Sequence, residues 1–239
     1  MKGIFVVGTD TGVGKTLLST LLCLLLKERG YDVGVMKPFE TGVPRYSGIP
    51  VPQDASKLKA ASGSDDPLEL ICPYCFEEPL APAEAARREG VTVDLRRVHE
   101  AFKELSLRHE VMVVEGVGGL LVPIAPGVLL PELIKGFGLD IILVGRSGLG
   151  TINHTLLSLY YCKREQMPVR GFVLNRVNPD NDPSEGQNPL WISSFTDVPY
   201  LGTLPYLGEV HSLLDRKEVV LPLAKESLRL ESLLSSLGL

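Results

Sequence analysis

Apolar residues in this chain come in short, unbroken runs rather than in strict alternation. Ile4–Val7, Val33–Met36, Val111–Val114, Ile141–Val144, Gly171–Leu174 and Tyr200–Thr203 are each such a run. Strands covered on both faces read this way, so these runs predict a mostly parallel central sheet. Between them, helical spacing marks Lys15–Arg29, Asp54–Ala61, Leu95–His109, Leu129–Phe137, Ile152–Glu165 and Pro189–Phe195. Regular alternation of the two patterns predicts an α/β fold with helices on both faces of the sheet, in a single domain over residues 1–239. Gly42–Pro52 and Asn178–Asn188 read as surface loops, and no internal repeat or linker interrupts the pattern.

Ligands of such sheets gather at the carboxyl ends of the strands, so the residues just after each run carry the chemistry. The first run leads into Gly8-Thr9-Asp10-Thr11-Gly12-Val13-Gly14-Lys15-Thr16 and then a helix. Glycines there let successive N–H groups converge on a phosphate, and the helix start adds its positive dipole end. Lys15 can reach the β- and γ-phosphates, and the Thr16 hydroxyl can ligate Mg²⁺. Thr9 stands where the usual pattern has its first glycine, with Gly8 one place earlier.

The other runs also end in polar or glycine-rich turns: Lys37–Gly42, Glu115–Gly119, Ser147–His154, Asn175–Val177 and Leu204–Leu207. Glu115 is the leading carboxylate for a metal, since a buried unpaired carboxylate at a strand end is costly. Asp54 suits either a metal or the N-cap of the helix that it opens. Lys37, stiffened by Pro38, is either a charge partner for a transferring phosphoryl group or a solvated lysine. Thr11 and Thr41 offer hydroxyls to a small anion. Asn175 can pair bidentately with an adenine edge, and no Asn-Lys-x-Asp motif for guanine occurs, which favours ATP over GTP. His154 reads as a packed or capping residue ahead of a catalytic one.

Composition narrows the field further. A net charge of −5 and the lack of a dense basic cluster argue against a nucleic-acid partner. Leu17–Leu26 is apolar but short and broken by Ser19 and Thr20, so a membrane span is not expected and the chain reads as cytoplasmic. Four cysteines do not make a disulfide scaffold, and Cys72-Pro73-Tyr74-Cys75 lacks a second pair to complete a zinc site.

Taken together, these blocks resemble the dethiobiotin synthetase family of P-loop ATPases. The resemblance rests on the nine residues from Gly8, Lys-Pro-x-x-Thr-Gly from Lys37 and Glu-Gly-x-Gly-Gly from Glu115. Gly-Leu-Gly-Thr-Ile-Asn-His-Thr-Leu-Leu from Gly148 and Asn-Arg-Val from Asn175 complete it. It implies a P-loop NTPase fold and an ATP-dependent cyclo-ligase joining 7,8-diaminononanoate and CO₂, with ATP as co-substrate and Mg²⁺ as cofactor. It implies that Gly12, Val13, Gly14, Lys15, Thr16 and Leu17 hold the nucleotide phosphates, with Gly116, Val117 and Gly118 beside them. Thr16, Asp54 and Glu115 would bind the metal. Asn175, Arg176, Pro205, Tyr206 and Leu207 would hold adenine, with Glu209 near the ribose. Lys37, Lys15 and Thr11 would be the catalytic residues. Thr11, Lys37, Thr41 and Gly118 would touch the substrate. Leu149, Gly150, Thr151 and Asn153 would come from the other subunit of a homodimer to hold the substrate carboxylate.

Departures are few: some family members carry Glu at the position of Gly12, and Ser is common at that of Thr41. A corrinoid-amidating ligase would need a glutaminase domain for which this chain is too short. A partitioning or cell-division ATPase usually shows Lys-Gly-Gly where Asp10-Thr11-Gly12 stands.

Overall fold

All six predicted runs become strands of one sheet in the computed structural model, which describes residues 2–180, 182–208 and 214–236. The chain opens with β1 (Lys2–Gly8), α1 (Lys15–Glu28), β2 (Val33–Met36), β3 (Phe39–Thr41), β4 (Arg45–Tyr46) and β5 (Ile49–Pro50). It continues through α2 (Gln53–Ser62), α3 (Leu68–Ile71), β6 (Tyr74–Phe76), α4 (Pro82–Arg88), α5 (Leu95–Arg108) and β7 (Val111–Gly119). Then come β8 (Pro123–Ala125), β9 (Val128–Leu129), α6 (Leu130–Phe137), β10 (Asp140–Arg146), α7 (Thr151–Arg164) and β11 (Val169–Asn175). The last are α8 (Asn188–Ser194), β12 (Tyr200–Leu204), α9 (Lys217–Ser227) and α10 (Leu230–Ser236).

The central sheet runs β12-β11-β10-β1-β7-β2, with every pair parallel. Alternation along β1 sends Ile4 and Val6 to one face and Phe5 and Val7 to the other. The Ile4 face is covered by α1, α2, α9 and α10, and the Phe5 face by α5, α6, α7 and α8. Buried on both faces, the strands have no need of a polar side, which explains their unbroken apolar runs. Leu18, Leu21 and Leu22 of α1 are fully buried, each worth about 1.5–3 kcal/mol over exposure. No helix among the described residues is long and apolar enough to cross a membrane.

Three stretches read as turns or loops are more ordered than the sequence pattern indicates. Glu115–Gly119 do not follow the strand but extend it: β7 reaches Gly119, which pairs with Gly8 after a register shift between Val6 and Gly8. Phe39–Thr41 form a second, small parallel ladder with β6. Within Gly42–Pro52, Arg45 and Tyr46 pair antiparallel with Ile49 and Pro50. Ser47 and Gly48, with φ of 52° and 83°, make the tight turn that such a ribbon needs.

Candidate active site

The loop between β1 and α1 is built as its glycines require. Gly12 and Gly14 have φ of 73° and 99°, in the left-handed region that residues with a β-carbon avoid. A side chain at Gly14 is excluded twice, because its β-carbon would stand 2.2 Å from Asn175 Nδ2. Lys15, the first residue of α1, folds back so that Nζ donates to the carbonyls of Asp10 at 2.9 Å and Gly118 at 2.8 Å. Burial, then the neighbouring charge of Lys37, lowers the Lys15 pKa to about 8.

Opposite the loop, Glu115 sits fully buried in β7, beside Val6 of β1. Its Oε1 accepts from the Thr16 hydroxyl at 2.7 Å and from Lys37 Nζ at 2.5 Å. Its Oε2 is buried with no hydrogen-bond partner among the described residues. Lys37 is held just past β2, where its N–H donates to the Ile71 carbonyl at 2.8 Å and its Nζ reaches the Gly116 carbonyl at 3.3 Å. Burial opposes the Lys37 charge, but Glu115, Asp54 and Glu40 outweigh it and keep the pKa above the ordinary lysine value. Lys37 is therefore buried in an ion pair with Glu115 and is not a solvated lysine.

Asp54 is not the N-cap of α2. The cap position is Pro52, and the carboxylate of Glu40 accepts the N–H groups of Asp54 at 2.8 Å and Ala55 at 3.0 Å instead. The Asp54 carboxylate is thereby left to face Lys37, at 3.7 Å, and Lys57, at 3.0 Å. Burial raises its pKa, yet the charges of Lys37 and Lys57 bring it below the usual carboxylate value. Burial likewise pushes the Glu40 carboxyl up, with Lys37 opposing.

A cleft of about 710 Å³ joins these groups. Thr11, Gly12, Gly14, Lys15, Thr16 and Leu17 line one wall, and Lys37, Thr41 and Asp54 another. Glu115, Val117 and Gly118 form the floor, and Val13 lies buried beneath the loop. Gly116 takes part through its carbonyl. Sequence reasoning missed Glu40, Lys57 and the Pro79–Pro82 segment, the last two of which also line the cleft. A glutamate inside Lys-Pro-x-x-Thr-Gly and a lysine one turn after Asp54 were the available signals.

Other predicted residues lie elsewhere. Asn175 is buried against the loop, its Nδ2 donating to the Val13 carbonyl at 3.1 Å, so two-point pairing with a base edge is not open to it here; its Oδ1 has no partner among the described residues. Arg176, Pro205, Tyr206 and Leu207 follow β11 and β12 outside the cleft lining, and Glu209 lies outside the described residues. Leu149, Gly150, Thr151 and Asn153 at the start of α7 are also outside the cleft of their own chain. The Thr151 hydroxyl turns inward to Thr155 Oγ1 at 3.3 Å, and the Leu149 N–H donates to Asp182 Oδ2 at 2.8 Å. His154 lines a separate cavity of about 290 Å³ and has Nδ1 3.3 Å from Arg146 Nη2, as a packed residue would.

Comparison with known proteins bears on this geometry. The AAA domain family model AAA_26 matches residues 2–212. The chain is 46% identical over 210 residues, 88% of itself and 92% of the relative, to the ATP-dependent dethiobiotin synthetase BioD of Anaeromyxobacter dehalogenans strain 2CP-C. It is 40% identical over 238 residues, the whole of both chains, to the protein of that name from Bacillus subtilis subsp. natto. Among solved structures, the MinC:MinD cell division complex of Aquifex aeolicus matches with a TM-score of 0.55 at 12% identity, covering 95% of each chain. A ParA family ATPase from Chlorobium tepidum matches with a TM-score of 0.52 at 15% identity, covering 94% of this chain and 91% of that one. Those two share the fold alone. By its family model and its close relatives, the chain belongs to the ATP-dependent dethiobiotin synthetase family of AAA-domain proteins.

Proposed function

We propose that this chain closes 7,8-diaminononanoate and CO₂ into the cyclic urea of dethiobiotin, with ATP converted to ADP and phosphate, as a cytoplasmic step of biotin biosynthesis. The observation that carries this reading is the meeting of Lys15, Thr16, Lys37, Asp54 and Glu115 in one cleft beside an anion-binding loop. Its donor set fits Mg²⁺. The unpartnered, buried Glu115 Oε2 points to a missing positive partner, and the Thr16 hydroxyl and Asp54 carboxylate add further hard oxygen ligands. Thr16, Asp54 and Glu115 would hold the ion, which when bound neutralises charge between the phosphate oxygens.

The chemistry asks the chain to position two anions and to balance charge. One substrate amine captures CO₂ as a carbamate and loses a proton. A carbamate oxygen then takes the γ-phosphoryl group, and ADP departs. The second amine attacks the activated carbonyl and expels phosphate. Lys37, held charged by Glu115, stabilises the oxygens where charge develops, and Lys15 covers the phosphoryl group from the loop side. Thr11 and Thr41, both on the cleft wall, offer hydroxyls to the carbamate. Asn175 and Arg176 with Pro205–Leu207 would receive adenine, a role that the unpaired Asn175 Oδ1 acceptor supports.

A homodimer completes the site in this reading. The Gly150–Asn153 turn, removed from its own cleft, would present backbone N–H groups to the substrate carboxylate held by the partner. Exposed Leu149, Leu157, Trp191 and Phe195 supply apolar surface for such a contact. Incubation with diaminononanoate, bicarbonate and Mg²⁺–ATP, followed by product mass, tests the whole. One phosphate is expected per product molecule heavier by a carbonyl bridge, and phosphate release without that product would reject the assignment.

A further inference from the structure

Three ammonium groups line the cleft, and only two belong to the motifs above. The third, Lys57, stands one turn after Asp54 on α2, with its side chain 17% exposed. An i, i+3 ion pair on an open helix face is worth little, because water screens it. This pair is not on an open face: Lys57 Nζ donates to Asp54 Oδ1 at 3.0 Å inside the cleft, while Lys37 stands 3.7 Å from Oδ2. Glu40 clamps the first N–H groups of α2, so the helix cannot turn Asp54 away from either lysine without losing those bonds. Both oxygens of Asp54 thus already face a cation of this chain, and the one nearer Lys57 is directly bonded.

We propose that Lys57 is a positioning residue that competes with the divalent cation for Asp54. This rests on the reading of Thr16, Asp54 and Glu115 as the metal-binding set. A divalent cation that took Asp54 as a ligand would compete with the Lys57 ammonium, bonded to Oδ1, for the charge of that carboxylate. With no metal bound, Lys57 neutralises Asp54 and so eases entry of the bare nucleotide, and the weakening of that ion pair subtracts from the extra affinity that the metal brings. It sets how steeply nucleotide binding depends on free Mg²⁺.

The test is ADP binding, without turnover, by titration calorimetry in EDTA and at increasing Mg²⁺. The proteins compared are the full-length chain, Lys57→Met, which keeps an apolar stem, and Lys57→Arg, which keeps the charge. The factor by which Mg²⁺ tightens ADP binding is expected to grow about fivefold in Lys57→Met, the scale of one partly buried ion pair. In Lys57→Arg it should return towards the parent value. An unchanged or smaller factor in Lys57→Met, with thermal unfolding unchanged, overturns the proposal, as does a lowered melting temperature with no change in the factor. If Mg²⁺ fails to tighten ADP binding even in the parent chain, the metal-site reading itself fails, which is a separate result.

Discussion

Glu115 Oε1 accepts from both the Thr16 hydroxyl and the Lys37 ammonium, so the two walls of the cleft meet on one oxygen atom. Removing Lys37 has two effects that can be separated. A buried carboxylate left without its partner costs stability, on the order of 3–5 kcal/mol. In the proposed reaction, loss of the Lys37 charge beside the reacting oxygens would cost rate. Lys37→Ala is expected to melt at a lower temperature, still bind ADP at 10–15 °C, and turn over at least ~10²-fold more slowly. Steady-state rates and calorimetry at that temperature decide it, and an unchanged kcat removes Lys37 from the chemistry. Lys15, Thr16, Lys37 and Glu115 were legible in the sequence because each lies in a short motif whose spacing is itself the geometry. Glu40 and Lys57 were not, because their roles depend on partners in another element and on which way α2 faces.

At the scale of elements, α2 is aimed by a residue outside it. Glu40 in β3 takes the two N–H groups that a Ser or Asp at the cap position would otherwise take. With Pro52 at that position the helix has no side-chain cap of its own. Glu40→Ala should therefore cost about 1–3 kcal/mol in urea unfolding, the range for a buried hydrogen-bonding group left alone. It should also weaken Mg²⁺-dependent ADP binding, since Asp54 loses its fixed direction; unfolding unchanged from the parent would show that β3 does not hold the helix. The large elements were readable because periodicity persists over a dozen residues in helices such as α5, and because buried strands carry unbroken apolar runs. The β3–β6 ladder and the Arg45–Pro50 ribbon are too short for any period to show. The glycines of Glu115–Gly119 have the composition of a turn, whereas in the fold they let β7 run on close beside the loop.

Across the whole molecule, charge is also organised at the opposite end of the sheet. His109, just before β7, bonds through Nδ1 to Asp32 at 2.8 Å and through Nε2 to Asp66 at 2.6 Å, and Asp66 pairs with Arg108 at 2.7 Å. The cluster ties the corner before β2, the loop before α3 and the corner before β7 together. Burial favours neutral His109, but Asp32 and Asp66 outweigh it and raise its pKa. Burial pushes Asp66 up, while Ser64, His109 and Arg108 bring it below the usual value. A raised folded-state pKa gives stability that is complete below the unfolded value of about 6.5 and fades as pH climbs through the folded value. The lowered Asp66 contributes above its unfolded value and loses that contribution in acid. Between pH 6 and pH 9 urea unfolding should therefore show the parent chain losing more stability, or gaining less, than His109→Gln, since the lowered Lys15 pKa acts in both proteins alike. Equal pH slopes in both proteins would remove the cluster from the stability balance.

The slip in register between β1 and β7 governs where this polypeptide tolerates changes of length. Adding one residue between Glu115 and Gly119 would carry the Gly118 carbonyl away from Lys15 and uncouple the cleft floor from its loop. The Arg45–Pro50 ribbon projects into solvent, with Tyr46 and Ile49 largely bare, so a fluorophore or peptide tag spliced there should leave nucleotide handling intact.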